Sequence, residues 1–238
     1  MTTIESSVAL ADLVTAQPDL APALEDLDLD YCCGGARSLA EACSAAGLQL
    51  DEVIGQLSEQ PRAEQADWVS MSPPELVDHL ESVHHAYLSE ALVRLTTLMD
   101  RVHDAHGANH PELGDVSATL RDLRADLEPH LMKEERILFP MIRQLFGDDD
   151  APEFHCGTLQ NPISVMGREH DRAGALLARL RTLTSVYTPP SDGCASYEAL
   201  YSGLAELEAD THLHIHKENN VLFPAVVAEE MGLGRETI

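Results

Sequence analysis

The sequence predicts an all-α protein, in which an antiparallel four-helix bundle follows a small helical N-terminal domain. Apolar residues make up 44% of the 238 residues but aromatic residues only 4%, so Leu, Ala and Val must build most of the core. Four long segments carry apolar residues at helical spacing, with few β-branched runs. The connections between them are modest in length and rich in turn residues, which favours antiparallel neighbours.

Residues 1–57 are predicted to form the small domain from short helices. Ser38 and Glu41 match the capping box that opens a helix, at the start of the segment SLAEACSAA. Gly47 stands where this helix should end, because glycine is the common residue just beyond a helix. Residues 58–73 are polar and contain prolines near both ends, so they predict a linker.

Residues 74–231 are predicted to form the bundle. Its helices are expected at about residues 74–102, 115–146, 162–187 and 196–231. The second pair of helices repeats the first. HLMKEERILFP at 130–140 matches HIHKENNVLFP at 214–224, and HAYLSEALVRL at 85–95 matches HDRAGALLARL at 170–180 more weakly. Such a repeat predicts two helical hairpins related by a pseudo-two-fold axis, with equivalent side chains around one central site.

The apolar stripes of the second and fourth helices are each interrupted by a His-x-x-x-Glu pair. The pairs are His130–Glu134 and His214–Glu218. Beyond the pairs, the stripes are expected to continue through Ile137, Met141, Leu145, Val221 and Ala225. A buried carboxylate is costly unless it is paired or bound to a metal, and at this spacing both side chains can reach the same ion. Imidazole and carboxylate without thiolate favour iron or manganese over structural zinc. Together with histidines of the other two helices, the repeated pairs predict a two-metal centre.

The third and first helices each add a histidine to this pattern. His170 lies on the apolar stripe of the third helix, whereas the first helix offers both His84 and His85. The stripe that favours His84 contains Val77, Leu80 and Tyr87. The stripe that favours His85 contains Leu88, Leu92, Leu95 and Met99. The stripes do not decide between the two, but the internal repeat favours His85. The other histidines are interpreted as lying outside the site. His103, His106, His110 and His155 are in loops, His212 and His216 lie off the stripe of the fourth helix, and His79 lies a turn or more before the site.

Charge and cysteine content narrow the class of partner and the compartment. The formal net charge of −26 disfavours binding to nucleic acids or to anionic membranes. The five cysteines are odd in number and two are adjacent, which suits a reducing compartment better than a disulfide framework. Neither a secretory signal nor a membrane-spanning stretch is evident, so a cytoplasmic protein is expected. Cys43, Cys156 and Cys194 are interpreted as incidental.

Several of these segments resemble a known family. HLMKEERILFP, VMGREHDRAG and HKENNVLFP resemble the hemerythrin-like domain of the RIC (repair of iron centres) family of iron-sulfur cluster repair proteins. LDLDYCCGGARSLAEAC resembles the small ScdA-type domain that precedes it in that family. The resemblance covers nearly the whole chain, in the domain order of the family.

This resemblance implies a hemerythrin-like bundle with a non-haem di-iron centre, bridged by an oxo or hydroxo group. Its terminal imidazole ligands would be His85, His130, His170 and His214, and its bridging carboxylates Glu134 and Glu218. The family implies repair of iron-sulfur clusters under nitrosative or oxidative stress, by iron donation or by nitric oxide chemistry. The implied partners are damaged iron-sulfur proteins, an electron donor and the small ligands nitric oxide or dioxygen; a homodimer is left open.

The vicinal Cys32 and Cys33 precede two glycines. They suggest metal binding, thiol chemistry or iron transfer to a client, and the helix that follows is expected to lower a thiol pKa. The alternative is a core cysteine beside a tight turn.

Two other functional classes compete with repair. The first alternative is a bundle that reversibly binds or senses dioxygen or nitric oxide. The second, a ferritin-like oxidase, is disfavoured because its motif is Glu-x-x-His. Iron donation is favoured over turnover, although nitric oxide reduction would be catalytic. The ligand set suits manganese as well as iron.

Overall fold

The computed structural model describes residues 4–60, 67–147 and 154–236, with the side chains of 4–60, 68–147 and 154–232. Throughout this part of the chain the regular structure is helical, apart from an isolated antiparallel bridge between Ala9 and Ser38. The prediction of an all-α protein is therefore confirmed. Within the same residues, no helix combines the length and the apolar character needed to cross a membrane.

The helices follow one another along the chain in two consecutive segments. The N-terminal segment contains α1 (Leu10–Ala16), a 3-10 turn (Pro18–Leu20), α2 (Ala21–Asp26), α3 (Leu39–Ala46), α4 (Leu50–Ser58) and a second 3-10 turn (Asp67–Ser70). The following segment contains α5 (Pro73–His79), α6 (Ala86–His106), α7 (Glu112–Lys133), α8 (Phe139–Leu145), α9 (Gln160–Leu183), α10 (Ala195–Lys217) and α11 (Phe223–Glu236). Three π-helical segments join α5 to α6, α7 to α8 and α10 to α11: Leu80–His85, Glu134–Leu138 and Glu218–Leu222.

The described residues divide into two compact units. The terminal unit comprises the described residues up to Val77 and from His212 onwards, and the central unit comprises those from Asp78 to Thr211. This division falls within α5 and α10 rather than at the predicted linker, because the last residues of α10 pack with the N-terminal helices: Ile215 belongs to the same apolar core as Leu10 and Leu39. Domain boundaries at 57 and 73 stay a prediction; residues 61–66 of the linker lie outside the described residues.

The terminal unit is built from short helices around an apolar core. Ser38 Oγ accepts a hydrogen bond from the backbone N–H of Glu41, and Glu41 Oε2 accepts from the N–H of Ser38, so the capping box at α3 is confirmed. Gly47 ends α3 with φ of 71°, a left-handed conformation that favours glycine. The core contains Leu10, Val14, Leu24, Leu39, Val53, Leu57 and Ile215.

The central unit contains the predicted bundle. Its core takes side chains from α6, α7, α9 and the first part of α10; they include Leu92, Leu95, Val116, Leu120, Leu123, Leu177, Leu180, Leu200 and Leu204. The third helix ends at Leu183 rather than at the expected residue 187. Ser185, Val186 and Tyr187 have φ values of 49°, 57° and 54°, which a right-handed helix excludes.

The π-helical segments change which residues face the core. Ile137 was expected on the buried stripe, but it is 46% exposed and Leu138 is buried instead. In the same way Val221 is only partly buried, whereas Leu222 is fully buried. A π turn inserts one extra residue, so the apolar face after Glu134 and after Glu218 continues one position later than a regular helix would place it. The stripe expected beyond each His–Glu pair was therefore wrong at Ile137, Val221 and Ala225, which are exposed or only partly buried, whereas Met141 and Leu145 are buried as expected.

Candidate metal centre

Glu134 lies at the middle of a histidine cluster in the central unit. It is the first residue of the second π segment and its side chain is fully buried. Its Oε1 lies 3.3 Å from Nε2 of His130 and 4.0 Å from Nε2 of His170, whereas its Oε2 lies 3.5 Å from Nε2 of His85. The two carboxylate oxygens thus face different histidines. This is an arrangement in which one carboxylate can bridge two cations.

His130 and His170 meet on one side of this carboxylate. Their Nε2 atoms are 3.1 Å apart, and both side chains are buried. The ligand atoms that His130, Glu134 and His170 offer all lie within 4.8 Å of one another. Three potential ligands from α7, the adjoining π segment and α9 therefore converge on a space the size of a metal ion's coordination sphere.

The outer nitrogens of two of these histidines contact carboxylates. Nδ1 of His85 lies 3.0 Å from Oε1 of Glu135, and Nδ1 of His130 lies 3.0 Å from Oε2 of Glu169. A carboxylate accepts the Nδ1–H, which leaves a lone pair on the inward Nε2. The inward lone pairs of His85 and His130, beside the Glu134 carboxylate, are donors that a cation can accept. The donor set therefore fits a metal ion that accepts imidazole and carboxylate, as iron and manganese do.

Glu169 has a second partner besides His130. Its other oxygen accepts a hydrogen bond from Lys133 Nζ. Burial opposes ionisation of Glu169, but the hydrogen bonds from Lys133 and His130 outweigh it and lower the pKa of the carboxyl group. Glu169 is thus held as a carboxylate behind His130, an environment that sequence analysis did not identify.

Both histidines of the first bundle helix are buried, but they face different partners. His85 approaches Glu134 and stacks on the Phe139 ring at a centroid distance of 5.3 Å. Nδ1 of His84 lies 2.9 Å from Oδ1 of Asp210, on α10. The π segment Leu80–His85 explains why the two apolar stripes disagreed, since its wider turn places both side chains inside.

The terminal unit contains the second His–Glu pair. Nε2 of His214 lies 3.2 Å from Oε1 of Glu218, and both side chains are fully buried. Glu218 begins the third π segment, as Glu134 begins the second. The internal repeat of the sequence therefore extends to the backbone. In each pair the histidine lies in the last turn of an α-helix and the glutamate is the first residue of the π segment that follows.

Cys32 and Cys33 lie on a loop of the terminal unit that is organised by Asp30. The Asp30 carboxylate accepts hydrogen bonds from the backbone N–H groups of Cys32, Cys33 and Gly34, at 3.0, 2.9 and 2.8 Å. The two thiol sulfurs are 3.8 Å apart, and Cys32 Sγ lies 3.3 Å from Asp30 Oδ1. The side chains of Asp30, Cys32 and Cys33 therefore form a further group that could hold a metal ion.

The expected lowering of a thiol pKa by the following helix was wrong for Cys32. The hydrogen bond with Cys33, burial and the nearby Asp30 carboxylate all raise the pKa of the Cys32 thiol well above its ordinary value. The following helix, α3, begins only at Leu39. The backbone approaches closely at Gly35, one of the two glycines that follow the cysteines: a Cβ there would lie 2.3 Å from the carbonyl oxygen of Tyr31.

His216 and Asn220 connect this loop to the helix that bears the second His–Glu pair. Nδ1 of His216 lies 3.4 Å from the carbonyl oxygen of Tyr31, and Asn220 Nδ2 donates to the carbonyl oxygen of Cys32 at 3.0 Å. His216 is fully buried, and burial lowers its pKa to about 4. Sequence analysis set His216 aside because it lies off the stripe of the bundle; it faces the terminal unit instead. The spacing of His216 and Asn220 could have indicated this contact, because residues four apart lie on one face of a helix.

Comparison with known proteins identifies the family. A model of the hemerythrin HHE cation binding domain matches residues 75–226, and one of the ScdA_N family, described as a domain of unknown function, matches residues 7–60. The chain belongs to the hemerythrin HHE cation-binding family. The family resemblance of the sequence, in both domains, is thereby confirmed.

Named relatives cover almost the whole chain. It is 39% identical over 225 residues to a "Probable iron-sulfur cluster repair protein" of Haemophilus influenzae, a match that spans 93% of this chain and 97% of the relative. It is 36% identical over 224 residues to the "Iron-sulfur cluster repair protein YtfE" of Escherichia coli, with the same coverage of 93% and 97%. The protein of that name from Escherichia fergusonii is also 36% identical.

Proposed function

We propose that this protein repairs iron-sulfur clusters damaged by nitric oxide or oxidants, and that it uses a pair of iron ions to do so. The names of its relatives support the repair function, and membership of a cation-binding family supports the metal. The observation on which the proposal chiefly depends is the position of Glu134, whose two oxygens face His85 on one side and His130 with His170 on the other.

The proposed ligands are the two bridging carboxylates and four terminal imidazoles. They are Glu134, Glu218, His85, His130, His170 and His214. Two arguments support adding His214 and Glu218 to the four residues of the central unit. They repeat the His130–Glu134 pair in sequence and in π-helical backbone, and both side chains are fully buried, as those of the four central residues are.

The residues of the chain itself prepare this site in three ways. Burial of the ligands excludes bulk water, which strengthens every electrostatic interaction between them and a cation. Glu135 and Glu169 orient the imidazoles of His85 and His130. The carboxylates also offset part of the cation's charge. When bound, the iron pair would supply coordination positions for nitric oxide or dioxygen and a source of iron for a client.

The Cys32–Cys33 loop is the proposed route by which iron reaches a client protein. Asn220, two residues after the proposed ligand Glu218, donates to the carbonyl oxygen of Cys32. The two thiols and Asp30 form a group that could hold a metal ion. Two cysteine sulfurs beside a carboxylate, deprotonated when the metal binds, suit transient binding of Fe²⁺ on its way to a cluster. We favour iron donation over catalytic turnover for this reason, with the cytoplasm as the compartment and an electron donor as a further partner.

The first experiment measures iron content and electronic absorption of protein purified without oxygen, before and after oxidation. About two irons per chain, with ferric bands on oxidation, are expected. Glu134→Ala should lose metal because it removes the carboxylate that faces both histidine groups. Glu128→Ala is the control, since Glu128 lies on α7 and pairs with Arg124 at the surface. Full iron retention in Glu134→Ala would contradict the bridging assignment.

The double change Cys32→Ser, Cys33→Ser tests the role of the loop. Iron content should stay at the wild-type level, while restoration of a nitric-oxide-damaged [4Fe–4S] client should fall at least about tenfold, as expected when the transferring ligands are lost. Cys43→Ser is the control, because Cys43 lies on α3 and is not a member of the Asp30, Cys32 and Cys33 group. Loss of the iron pair in the double variant would show that the thiols serve the metal centre directly.

Reversible dioxygen or nitric oxide binding, or sensing, is the second candidate, because the hemerythrin HHE domain covers most of the chain. The two candidates differ in the fate of the iron. Repair by donation should remove iron from the protein in proportion to the clusters restored. A binding protein should keep its iron through repeated cycles of exposure to dioxygen and its removal.

A further inference from the structure

Cys194 and His106 meet at one end of the central unit, far from the proposed metal ligand His85. His106 is the last residue of α6, and Cys194 immediately precedes α10. The 21 residues of α6 separate His106 from His85, a distance of about 30 Å at roughly 1.5 Å per residue. The pair therefore has no part in the metal chemistry proposed above.

The geometry around the thiol is that of an activated cysteine. Sγ of Cys194 lies 3.2 Å from Nε2 of His106, and the cysteine is exposed. The thiol also stands at the N-terminus of α10, a helix of 23 residues, where backbone N–H groups stabilise negative charge. The hydrogen bond with His106, followed by those from the backbone of Tyr197 and Ser196, lowers the pKa of the thiol to about 7. Thiolate at neutral pH is the nucleophilic form of cysteine.

The surroundings hold His106 in place and set the local charge. The buried ring of Tyr197 contacts His106 edge-on at a centroid distance of 5.4 Å. His110 lies beside it, with Nδ1 3.0 Å from Glu112 and Nε2 3.1 Å from Asp192. Hydrogen bonds to Glu112 and then to Asp192 raise the pKa of His110. The groups that face the Cys194–His106 pair are thus an imidazole and two carboxylates.

We propose that Cys194 is a nucleophilic thiol that exchanges with small disulfides, with His106 as its proton acceptor. The thiol proton passes to Nε2 of His106, and the thiolate attacks one sulfur of the disulfide. The bond between the Cys194 sulfur and that sulfur forms as the original S–S bond breaks. The leaving thiolate takes the proton from His106 and departs as a thiol, so Cys194 is oxidised to a mixed disulfide while the other sulfur is reduced.

The charge around the site indicates which disulfides it takes. Asp192 and Glu112 are exposed carboxylates close by, and the chain has a formal net charge of −26. A field of this sign raises the local concentration of cations and repels anions. A cationic disulfide such as cystamine should therefore react faster than the anionic disulfide of glutathione.

The test measures the modification rate of each cysteine in the intact protein by peptide mass spectrometry, with cystamine and with glutathione disulfide at pH 7. Cys156, which is partly buried, is the internal reference. Cys194 should react about threefold to sixfold faster than Cys156. The lowered pKa of Cys194 gives it a larger thiolate fraction, and this gain exceeds the loss of intrinsic nucleophilicity that accompanies a lower pKa. His106→Gln should remove this advantage, and the control His103→Gln, one turn earlier on α6, should keep it.

Two results would overturn the proposal. One is a Cys194 rate in the wild-type protein no greater than that of Cys156, which does not depend on the folding of any variant. The other is an unchanged Cys194 rate in His106→Gln. Faster reaction with glutathione disulfide than with cystamine would overturn the assignment of the disulfide class.

Discussion

The proposed metal centre depends, residue by residue, on which nitrogen of each histidine faces inward. Glu135 and Glu169 lie at hydrogen-bond distance from Nδ1 of His85 and His130, so Nε2 is the atom left to bind a cation. Neither glutamate lies on an apolar stripe. Sequence periodicity therefore selects the residues that contact a metal and overlooks those that orient them.

Glu169→Gln is expected to weaken iron binding without unfolding the bundle. The amide oxygen can still accept from His130, but the negative charge that makes the imidazole a better ligand is lost, along with the ion pair to Lys133. Loss of such an orienting carboxylate commonly costs about tenfold to a hundredfold in metal affinity. Competition with a chelator for Fe²⁺ measures this change.

Asp126→Asn is the matched control for that experiment. Asp126 lies on α7, one turn before His130, and pairs with the exposed guanidinium of Arg172 rather than with a histidine. Its substitution should leave the affinity for Fe²⁺ within about twofold of the wild-type value, because an exposed ion pair contributes little. Equal affinities in Glu169→Gln and the wild-type protein would exclude an orienting role for Glu169.

At the scale of the element, the three π segments decide how the helices present their ligands. Each contains or begins with a proposed ligand: His85 ends the first, Glu134 begins the second and Glu218 begins the third. Periodicity at 3.6 residues per turn cannot detect an inserted residue, because the apolar pattern on either side remains helical. This is why Ile137 was assigned to the core and why the apolar stripes left the choice between His84 and His85 open.

The cap of α3 provides a test at the same scale. Ser38→Ala removes the side-chain acceptor of the Glu41 N–H and half of the capping box, and should lower the free energy of unfolding by about 0.5–2 kcal/mol. Ser44→Ala is the control, because Ser44 is an exposed residue inside the same helix. Urea unfolding followed by circular dichroism compares the two. Equal midpoints would mean that the cap does not limit the stability of the terminal unit.

For the molecule as a whole, the dominant electrostatic feature is its charge of −26. Ion pairs such as Arg143 with Asp78 and Glu81 offset only part of it, because acidic residues number 41 against 15 basic ones. Self-repulsion of this kind opposes the compact state and is screened by salt. That nucleic acids and anionic membranes are poor partners stays a prediction from this charge.

Raising the ionic strength from about 0.01 M to 0.15 M should therefore stabilise the protein. The Debye length falls from about 30 Å to about 8 Å over this range, so repulsion between distant carboxylates is screened while buried contacts change little. An increase in the thermal midpoint with NaCl is the expected result. A decrease would mean that exposed ion pairs stabilise the protein more than the net charge destabilises it.

The amino-acid sequence was sufficient to predict the fold class, the family and the set of candidate ligands. Helical periodicity identified the four bundle helices, and the repeated His-x-x-x-Glu pairs stood out because polar residues interrupted otherwise apolar stripes. These signals are local: they depend on residues three and four apart along one helix, which the sequence displays directly. The capping box and the glycine that ends α3 are local in the same sense.

The features that join distant parts of the chain are visible only in the folded structure. His84 contacts Asp210 while His85 contacts Glu134, and no pattern within one helix distinguishes the two. Cys194 and His106 are 88 positions apart, and both were set aside as incidental or as loop residues. Their contact follows from the packing of α6 beside the start of α10. Such pairs depend on which helices become neighbours and on π turns that rotate one part of a helix against the next, and neither is visible in local spacing.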